Sequence, residues 1–191
     1  SALRNILGEH VQQKGSLVNE EKLRFDFSHK QKLSESEIVK IEQEVNQAIT
    51  SAEDTQIIET SIEESQKLGA IAFFGEKYGD QVRVLKIAGD YSTELCGGTH
   101  VKNSSEIKSF KIISETSISS GVRRIEAISG DLAIKDKADN KTDLLNTAET
   151  FNVSVKDLPI FLKDKIKLIN SYKEDLKTVS YTHLRAHETP C

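Results

Sequence analysis

The chain has 191 residues, of which 37% are hydrophobic and 29% are charged, and its formal net charge is -4 at pH 7. This length suits one medium domain with an appendage and excludes an additional ATP-dependent catalytic core. The composition is typical of a soluble globular protein, and the net negative charge argues against a protein that holds long DNA by bulk charge.

The apolar runs and the cysteines of the sequence limit membrane contact and disulfide bonding. No apolar run approaches the roughly 20 residues that cross a bilayer, so we expect a cytoplasmic protein without membrane contact. The two cysteines, Cys96 and Cys191, imply no disulfide framework, which leaves Cys96 available as a thiolate. The sequence opens at Ser1 inside a helix-like pattern, from which we expect a piece of a longer protein.

The first elements predicted are a helix and a β-hairpin. Residues 2–7 have a helical pattern that Gly8 ends in a left-handed conformation. A strand is expected over residues 10–18, and the apolar–polar alternation over residues 23–28 predicts a second, half-buried strand. A polar turn between them completes the hairpin.

Two helices are predicted next. Ser34 and Glu37 form a Ser-x-x-Glu capping box ahead of apolar residues that recur on one helical stripe. After a short strand at residues 57–58, a shorter helix is expected to begin at Ser61 and end at Gly69.

The second half of the sequence predicts strands followed by a helical region. Strands are expected at residues 82–87, 107–113 and 122–128, and the pattern is helical from Leu144 onward. Helices and antiparallel strands mixed in this order predict an α+β fold, a two-layer sandwich of mainly antiparallel strands with packed helices, followed by a long C-terminal helix.

Three regions follow from these patterns. Residues 1–130 form the predicted core domain, and residues 131–179 form a helical linker toward a further domain. Residues 180–191 resemble the translation of a sequencing adapter, so we interpret them as a non-native tail.

The run from Cys96 to His100, with Gly97, Gly98 and Thr99 between them, carries the clearest chemistry. A thiolate and an imidazole four residues apart can bind one Zn²⁺ if the backbone turns tightly, which paired glycines permit. They supply two of the ligands that zinc needs. A cysteine nucleophile activated by histidine is the alternative, but no orienting Asn or Asp is assignable, and we favour the metal.

Other histidines are weaker candidates. His183, His187 and Cys191 are spaced four apart and would share one helical face, but we interpret their segment as an artefact. His10 is a conceivable ligand or pocket residue, and His29 is expected to be solvated at a strand end.

Four blocks together resemble the editing domain of alanyl-tRNA synthetases. They are LGEHVQQKGS at residues 7–16, RFDFSH at residues 24–29, TELCGGTH at residues 93–100 and GVRRIEA at residues 121–127. The resemblance covers residues 2–130. The related threonyl-tRNA synthetase editing domain shares the layout, but the third and fourth blocks look like the alanyl type.

The resemblance implies a zinc site. In that family a His-x-x-x-His pair on a helix binds zinc together with a cysteine and a histidine of a later loop, and Cys96 and His100 match the later pair. The first pair would precede Ser1, so we expect the zinc site of this chain to be incomplete and its affinity to be weak.

The resemblance also implies a substrate, tRNA(Ala) that carries serine or glycine by mistake, whose ester the domain hydrolyses. The parent enzyme attaches alanine to tRNA(Ala) with ATP. Gln13 matches a position that recognises the wrong amino acid, Gly97, Gly98 and Thr99 belong to the substrate-binding loop, and Arg123 is a candidate contact to the tRNA acceptor end. The sequence singles out no catalytic base.

Two alternatives remain open. One is a free-standing deacylase of the same fold, and the other is a non-catalytic module that binds tRNA or links domains. The predicted long helix after Lys156 favours a domain within a larger enzyme.

Overall fold

A computed structural model of the chain describes residues 1–70 and 81–186, with side chains described as far as residue 178. The chain divides into two compact units, Ser1–Asp136 and Lys137–Cys191. No helix among the described residues is both long and apolar enough to cross a bilayer.

The first unit contains both sheets. Its elements in chain order are α1 (Ala2–Leu7), β1 (Gln13–Val18), β2 (Leu23–Ser28), α2 (Glu35–Thr50), β3 (Gln56–Ser61), α3 (Ile62–Lys67), β4 (Gln81–Ile87), β5 (Ser92–Leu95), a 3-10 helix (Ser104–Ile107), β6 (Phe110–Ser119) and β7 (Val122–Ser129). Helix α4 (Gly130–Thr150) begins in the first unit and ends in the second, which also contains α5 (Leu158–Ala186).

All strand pairs among the described residues are antiparallel. Four strands form a sheet in the order β1-β2-β7-β6, and three form a second sheet in the order β3-β4-β5. With the helices packed against the strands and the long C-terminal helix, this arrangement confirms the predicted α+β fold.

Helices α1 and α2 cover one face of the four-stranded sheet. Phe27 and Ala127 of the sheet are fully buried, and Ile41 of α2 is 2% exposed within the same cluster. A separate apolar cluster lies on the three-stranded sheet and contains Val82, Val84 and Leu95. Each sheet therefore has its own core.

The predicted start of α2 is confirmed by its capping box. The Ser34 hydroxyl accepts a hydrogen bond from the Glu37 N–H at 3.3 Å, and the Glu37 carboxylate accepts one from the Ser34 N–H at 2.7 Å. These bonds satisfy backbone donors that the first turn of a helix leaves without intrahelical partners.

The beginning of the hairpin differs from the prediction. Strand β1 starts at Gln13 instead of residue 10, because the chain turns at Gly8 and Val11 is drawn into the core with 3% exposure. Gly8 has φ 112° and ψ 168°, an extended mirror-image conformation and not the left-handed helical one that we expected.

The later boundaries also move. Ile107 belongs to the 3-10 helix, and β6 extends to Ser119 through a polar stretch that lacks an apolar alternation. Helix α4 begins at Gly130, well before Leu144. Strand β5 was not predicted, because its four residues are mostly polar.

The predicted alternation of buried and exposed side chains over residues 23–28 is wrong at one position. Asp26 was expected on the solvated side, yet it is only 7% exposed. It is buried because Arg124 of the neighbouring strand forms two hydrogen bonds with its carboxylate, at 2.7 and 2.8 Å.

We expect Ile41→Ala to lower the free energy of unfolding of the first unit by about 2–5 kcal/mol, because it leaves a cavity beneath the sheet. Val39 of the same helix is 48% exposed, so Val39→Ala should change this free energy by less than about 0.5 kcal/mol. Urea denaturation followed by circular dichroism measures both values, and equal losses would contradict the assigned core.

Candidate functional site

The loop between β5 and the 3-10 helix brings Cys96 and His100 together. The Sγ atom of Cys96 lies 3.2 Å from Nε2 of His100. A Cβ atom added to Gly98 would stand 3.6 Å from each of these two atoms, so the loop curls around a residue without a side chain. The thiol and the imidazole therefore converge on one point, as two ligands of one metal ion must.

Hydrogen bonds from Arg83 of β4 hold the first half of this loop. The carbonyl oxygen of Arg83 accepts from the N–H of Cys96 at 3.2 Å. Its Nη1 atom donates to the carbonyl oxygens of Cys96, at 3.3 Å, and of Gly98, at 2.5 Å. Arg83 thus binds the loop through both its backbone and its side chain.

The chain that follows His100 is held by the segment after α2. The N–H of Thr55 donates to the carbonyl of Lys102 at 2.7 Å, and the N–H of Ser104 donates to the carbonyl of Glu53 at 3.0 Å. The loop that carries both candidate ligands is consequently fixed at its two ends.

The electrostatic surroundings favour a neutral imidazole. Desolvation by the atoms around its ring lowers the pKa of His100 although its surface is largely exposed, and the positive charge of Arg83 lowers it further, while the negative charge of Glu94 acts in the opposite direction. Neutral imidazole is the form that binds metal ions. Cys96 is half-buried and free of any disulfide.

A half-open cleft of about 240 Å³ lies beside the thiol. The residues that line it come from β4, β5 and the loop, namely Gln81, Val82, Arg83, Leu95, Cys96 and Gly97. A small group could therefore approach Cys96 from this side.

The start of α1 lies against β5, the strand that leads to Cys96. The Ser1 hydroxyl donates to the Ser92 hydroxyl at 3.0 Å, which in turn donates to the Glu94 carboxylate at 2.6 Å. The amino group of Ser1 lies 3.9 Å from the same carboxylate. These contacts join the first helix to the strand beside the loop.

Gln13 and Arg123 lie on the four-stranded sheet, on either side of Phe27. Gln13 pairs with Phe27 across β1 and β2, and Phe27 pairs with Arg123 across β2 and β7. Directly paired residues share a face of a sheet, so both candidate substrate contacts lie on the face of Phe27, the face that α1 and α2 cover, about 10 Å apart at its edge. The Gln13 amide donates to the Ser16 hydroxyl at 3.2 Å.

Arg123 is engaged in an ion pair. Its Nε and Nη2 atoms both bond to the carboxylate of Glu115, the latter at 2.7 Å, and the side chains are 11% and 2% exposed. This contact raises the pKa of Arg123. The predicted contact of Arg123 with phosphate therefore requires the ion pair to open.

His10 and His29 contact each other. Nε2 of His10 lies 2.9 Å from Nδ1 of His29, and the rings stack, so His29 is not simply solvated. In the parts of the chain that the structure describes, no three His, Cys, Asp or Glu side chains are grouped to bind a metal ion. His187 and Cys191 lie outside the described residues, and only the backbone of His183 is described.

Comparison with known proteins identifies the relatives of this chain. Residues 82–126 match the family model described as the threonyl and alanyl tRNA synthetase second additional domain. Alanine–tRNA ligases from Alkaliphilus metalliredigens and Halalkalibacterium halodurans are 51% and 49% identical to 94% and 92% of the chain. That of Acidithiobacillus ferridurans is 44% identical over 94%.

The homologues of this chain are alanine–tRNA ligases. The aligned part is 21% of the Alkaliphilus metalliredigens ligase, so the chain spans about a fifth of that relative's length. The matched span that alanine–tRNA ligases share with threonyl-tRNA synthetases contains Arg83, Cys96, His100 and Arg123. The loop geometry described above therefore lies within it.

Arg83 is the residue of this site that the sequence analysis missed. It stands between Val82 and Val84, both buried, in a strand for which the sequence predicted no functional residue. The sequence held no signal for this role, because a charged residue between two apolar ones in a strand is expected on the solvated face, and its partners come from a loop 13 to 15 residues along the chain.

The Asp26–Arg124 pair predicts a pH dependence. The hydrogen bonds and charge of Arg124 hold the pKa of Asp26 below its usual value, against the effect of burial. The stabilisation is complete above the unfolded pKa, about 4, and is lost as the pH falls through the folded pKa. Asp26→Asn should cost about 1–3 kcal/mol at pH 7, and the difference should shrink below pH 4.

Asp90→Asn is the matched control, because Asp90 also pairs with a cation, Lys86, but its side chain is 91% exposed. We expect it to change the unfolding free energy by less than about 0.5 kcal/mol at either pH. Urea unfolding at pH 7 and pH 3 gives these values. A difference for Asp26→Asn that stays constant with pH would show that its effect is not due to charge.

Proposed function

We propose that this chain is an editing module of an alanine–tRNA ligase, which hydrolyses the ester that joins serine or glycine to tRNA(Ala). The observation that carries the proposal is the 3.2 Å approach of Cys96 Sγ and His100 Nε2 within the span that matches the synthetase domain. The parent enzyme would attach alanine to tRNA(Ala) with ATP in the cytoplasm.

The metal in this proposal is zinc. Thiolate and neutral imidazole are preferred zinc ligands, and the room that Gly98 leaves beside both atoms suits an ion between them. The contact of α1 with β5 supports the further ligand pair that the resemblance implies, because it places the start of α1 beside the strand that leads to Cys96. Bound zinc supplies Lewis acidity and a fixed point for the ester.

Editing is needed because a synthetic pocket sized for alanine cannot strongly reject glycine or serine. Gln13 is the proposed serine contact. One of its amide hydrogens is bonded to Ser16, which leaves its amide carbonyl as the acceptor we propose for the hydroxyl of serine. A correct alanyl ester has no hydroxyl there. Glycine has none either, so glycyl-tRNA must be recognised by the small size of its side chain.

The exposed loop residues supply the remaining contacts in this proposal. Gly97 and Gly98 carry no side chains, so the terminal nucleotide of the tRNA can approach their backbone closely. Thr99 offers a hydroxyl beside them. Arg123 would bind the acceptor end after releasing Glu115, which a phosphate could replace as its partner.

A non-catalytic tRNA-binding or linker module is the second candidate. It is favoured by the lack of a third ligand near Cys96 and His100 in residues 1–70 and 81–178. Zinc binding and ester hydrolysis by a chain extended upstream would exclude it. A free-standing deacylase is distinguished by the upstream coding sequence, which for a ligase encodes an aminoacylation domain.

The ligand assignment can be tested in this chain fused to the upstream residues of the Alkaliphilus metalliredigens relative. We expect Cys96→Ala to remove most of the bound zinc and to slow hydrolysis of seryl-tRNA(Ala), because it deletes one ligand. Zinc is measured by mass spectrometry and hydrolysis by loss of the labelled ester. Cys191→Ser is the control, and full activity of Cys96→Ala without zinc would refute the assignment.

The Gln13 assignment predicts a different pattern in the same fusion. Gln13→Ala should slow hydrolysis of seryl-tRNA(Ala) about 5- to 150-fold, equivalent to about 1–3 kcal/mol, and leave the zinc content unchanged. The neighbouring Gln12 is exposed, so Gln12→Ala should have no effect on either quantity. Equal rates for the two variants would remove Gln13 from the site.

A further inference from the structure

We propose that Arg83 is the positioning residue that holds the Cys96–His100 loop in the shape that brings Sγ and Nε2 together. The consequence of this inference for metal binding rests on the proposed function. The effect of Arg83 on the loop itself can be measured without metal.

Arg83 is well placed for this role because two of its atoms make three hydrogen bonds with the loop. Its carbonyl oxygen accepts from Cys96 N–H, and Nη1 donates to the carbonyls of Cys96 and Gly98. The second carbonyl lies two residues beyond the first, so a single guanidinium nitrogen spans the turn. The bonds fix where the chain leaves β5 and where it bends back toward His100.

The loop has few other means of keeping its shape. Gly97, Gly98, Thr99 and His100 are all exposed, so little apolar burial orders them. Glycine also loses more backbone freedom on ordering than any other residue, which makes an unsupported Gly-Gly turn costly to fix. Charge-assisted hydrogen bonds from Arg83 offset this cost.

An arginine suits this position better than a lysine. The guanidinium is planar and presents several N–H groups in fixed directions, whereas an ammonium is a compact group on a flexible stem. Arg83 is also half-buried against its strand and is directed at backbone oxygens. These contacts favour a structural partner within the loop over a contact with tRNA phosphate.

The first experiment measures loop order in the metal-free chain by ¹⁵N relaxation. In the wild type we expect order parameters near 0.85 for Gly97, Gly98 and Thr99, and in Arg83→Ala values below about 0.6. Lys86→Ala is the matched control, since Lys86 lies on the same strand but pairs with Asp90, and it should leave the loop ordered. Unchanged order in Arg83→Ala would overturn the proposal.

Arg83→Lys covers the case in which the alanine variant fails to fold. It keeps the charge and one donor group but cannot reproduce the fixed geometry of the guanidinium. Its order parameters should fall between those of the wild type and 0.6. Wild-type values in a folded Arg83→Lys chain would mean that the charge alone suffices, and the positioning role of the guanidinium would be refuted.

The second experiment uses the chain fused to the upstream residues of the Alkaliphilus metalliredigens relative, titrates it with Co²⁺ and follows the thiolate-to-cobalt absorption band. A band that Cys96→Ser abolishes identifies binding through this thiol, and Arg83→Ala should weaken that binding at least about tenfold while Lys86→Ala leaves it unchanged. If Arg83→Ala disorders the loop but leaves the cobalt affinity unchanged, the proposal that the loop shape brings Sγ and Nε2 together for metal binding is overturned.

The two experiments separate the two proposals. If the wild-type fusion gives no Cys96-dependent band, the metal assignment under the proposed function loses its support. The relaxation data then still decide whether Arg83 orders the loop, because they are recorded without metal.

Discussion

The approach of a thiol to an imidazole depends on how the backbone between them is anchored. Two adjacent glycines permit the turn but do not select it, since they allow many other conformations at similar energy. Selection comes from outside the loop, from Arg83 on β4 before the turn and from the Lys102–Thr55 hydrogen bond after it. The three-stranded sheet thereby holds a short, exposed segment in one conformation. Chemically active loops are commonly positioned by a scaffold in this way.

The basic residues of β7 show a contrasting use of charge. Arg123 and Arg124 are adjacent and point to opposite faces of the strand, and each is paired with a carboxylate of a neighbouring strand, Glu115 on one face and Asp26 on the other. Both guanidinium groups therefore link strands in the conformation described. The proposed binding of tRNA would then depend on one of these ion pairs exchanging its carboxylate for phosphate, since the net charge of -4 supplies no bulk attraction.

Local sequence signals predicted those parts of the fold that depend on neighbouring residues. The capping box of Ser34 and Glu37 gave the start of α2, and the spacing of Cys96 and His100 gave a contact that requires only a tight turn. Strand β5, the burial of Asp26 and the role of Arg83 depend instead on partners far along the chain. A polar four-residue strand has no periodicity of its own and becomes visible only once β4 is beside it.

The two sheets have separate apolar clusters, yet they meet where α1 touches β5. Tyr91, just before β5, packs against the cluster of the four-stranded sheet, and burial raises its pKa, with the charge of Glu44 acting in the same direction. Ser1 and Ser92 add a polar contact beside it. The proposed metal ion, if held by the loop after β5 together with the further ligand pair that the resemblance implies, would lie near the same junction. Its binding would then stabilise the arrangement of the two sheets as well as hold a substrate, since ligands drawn from separate elements couple metal affinity to folding.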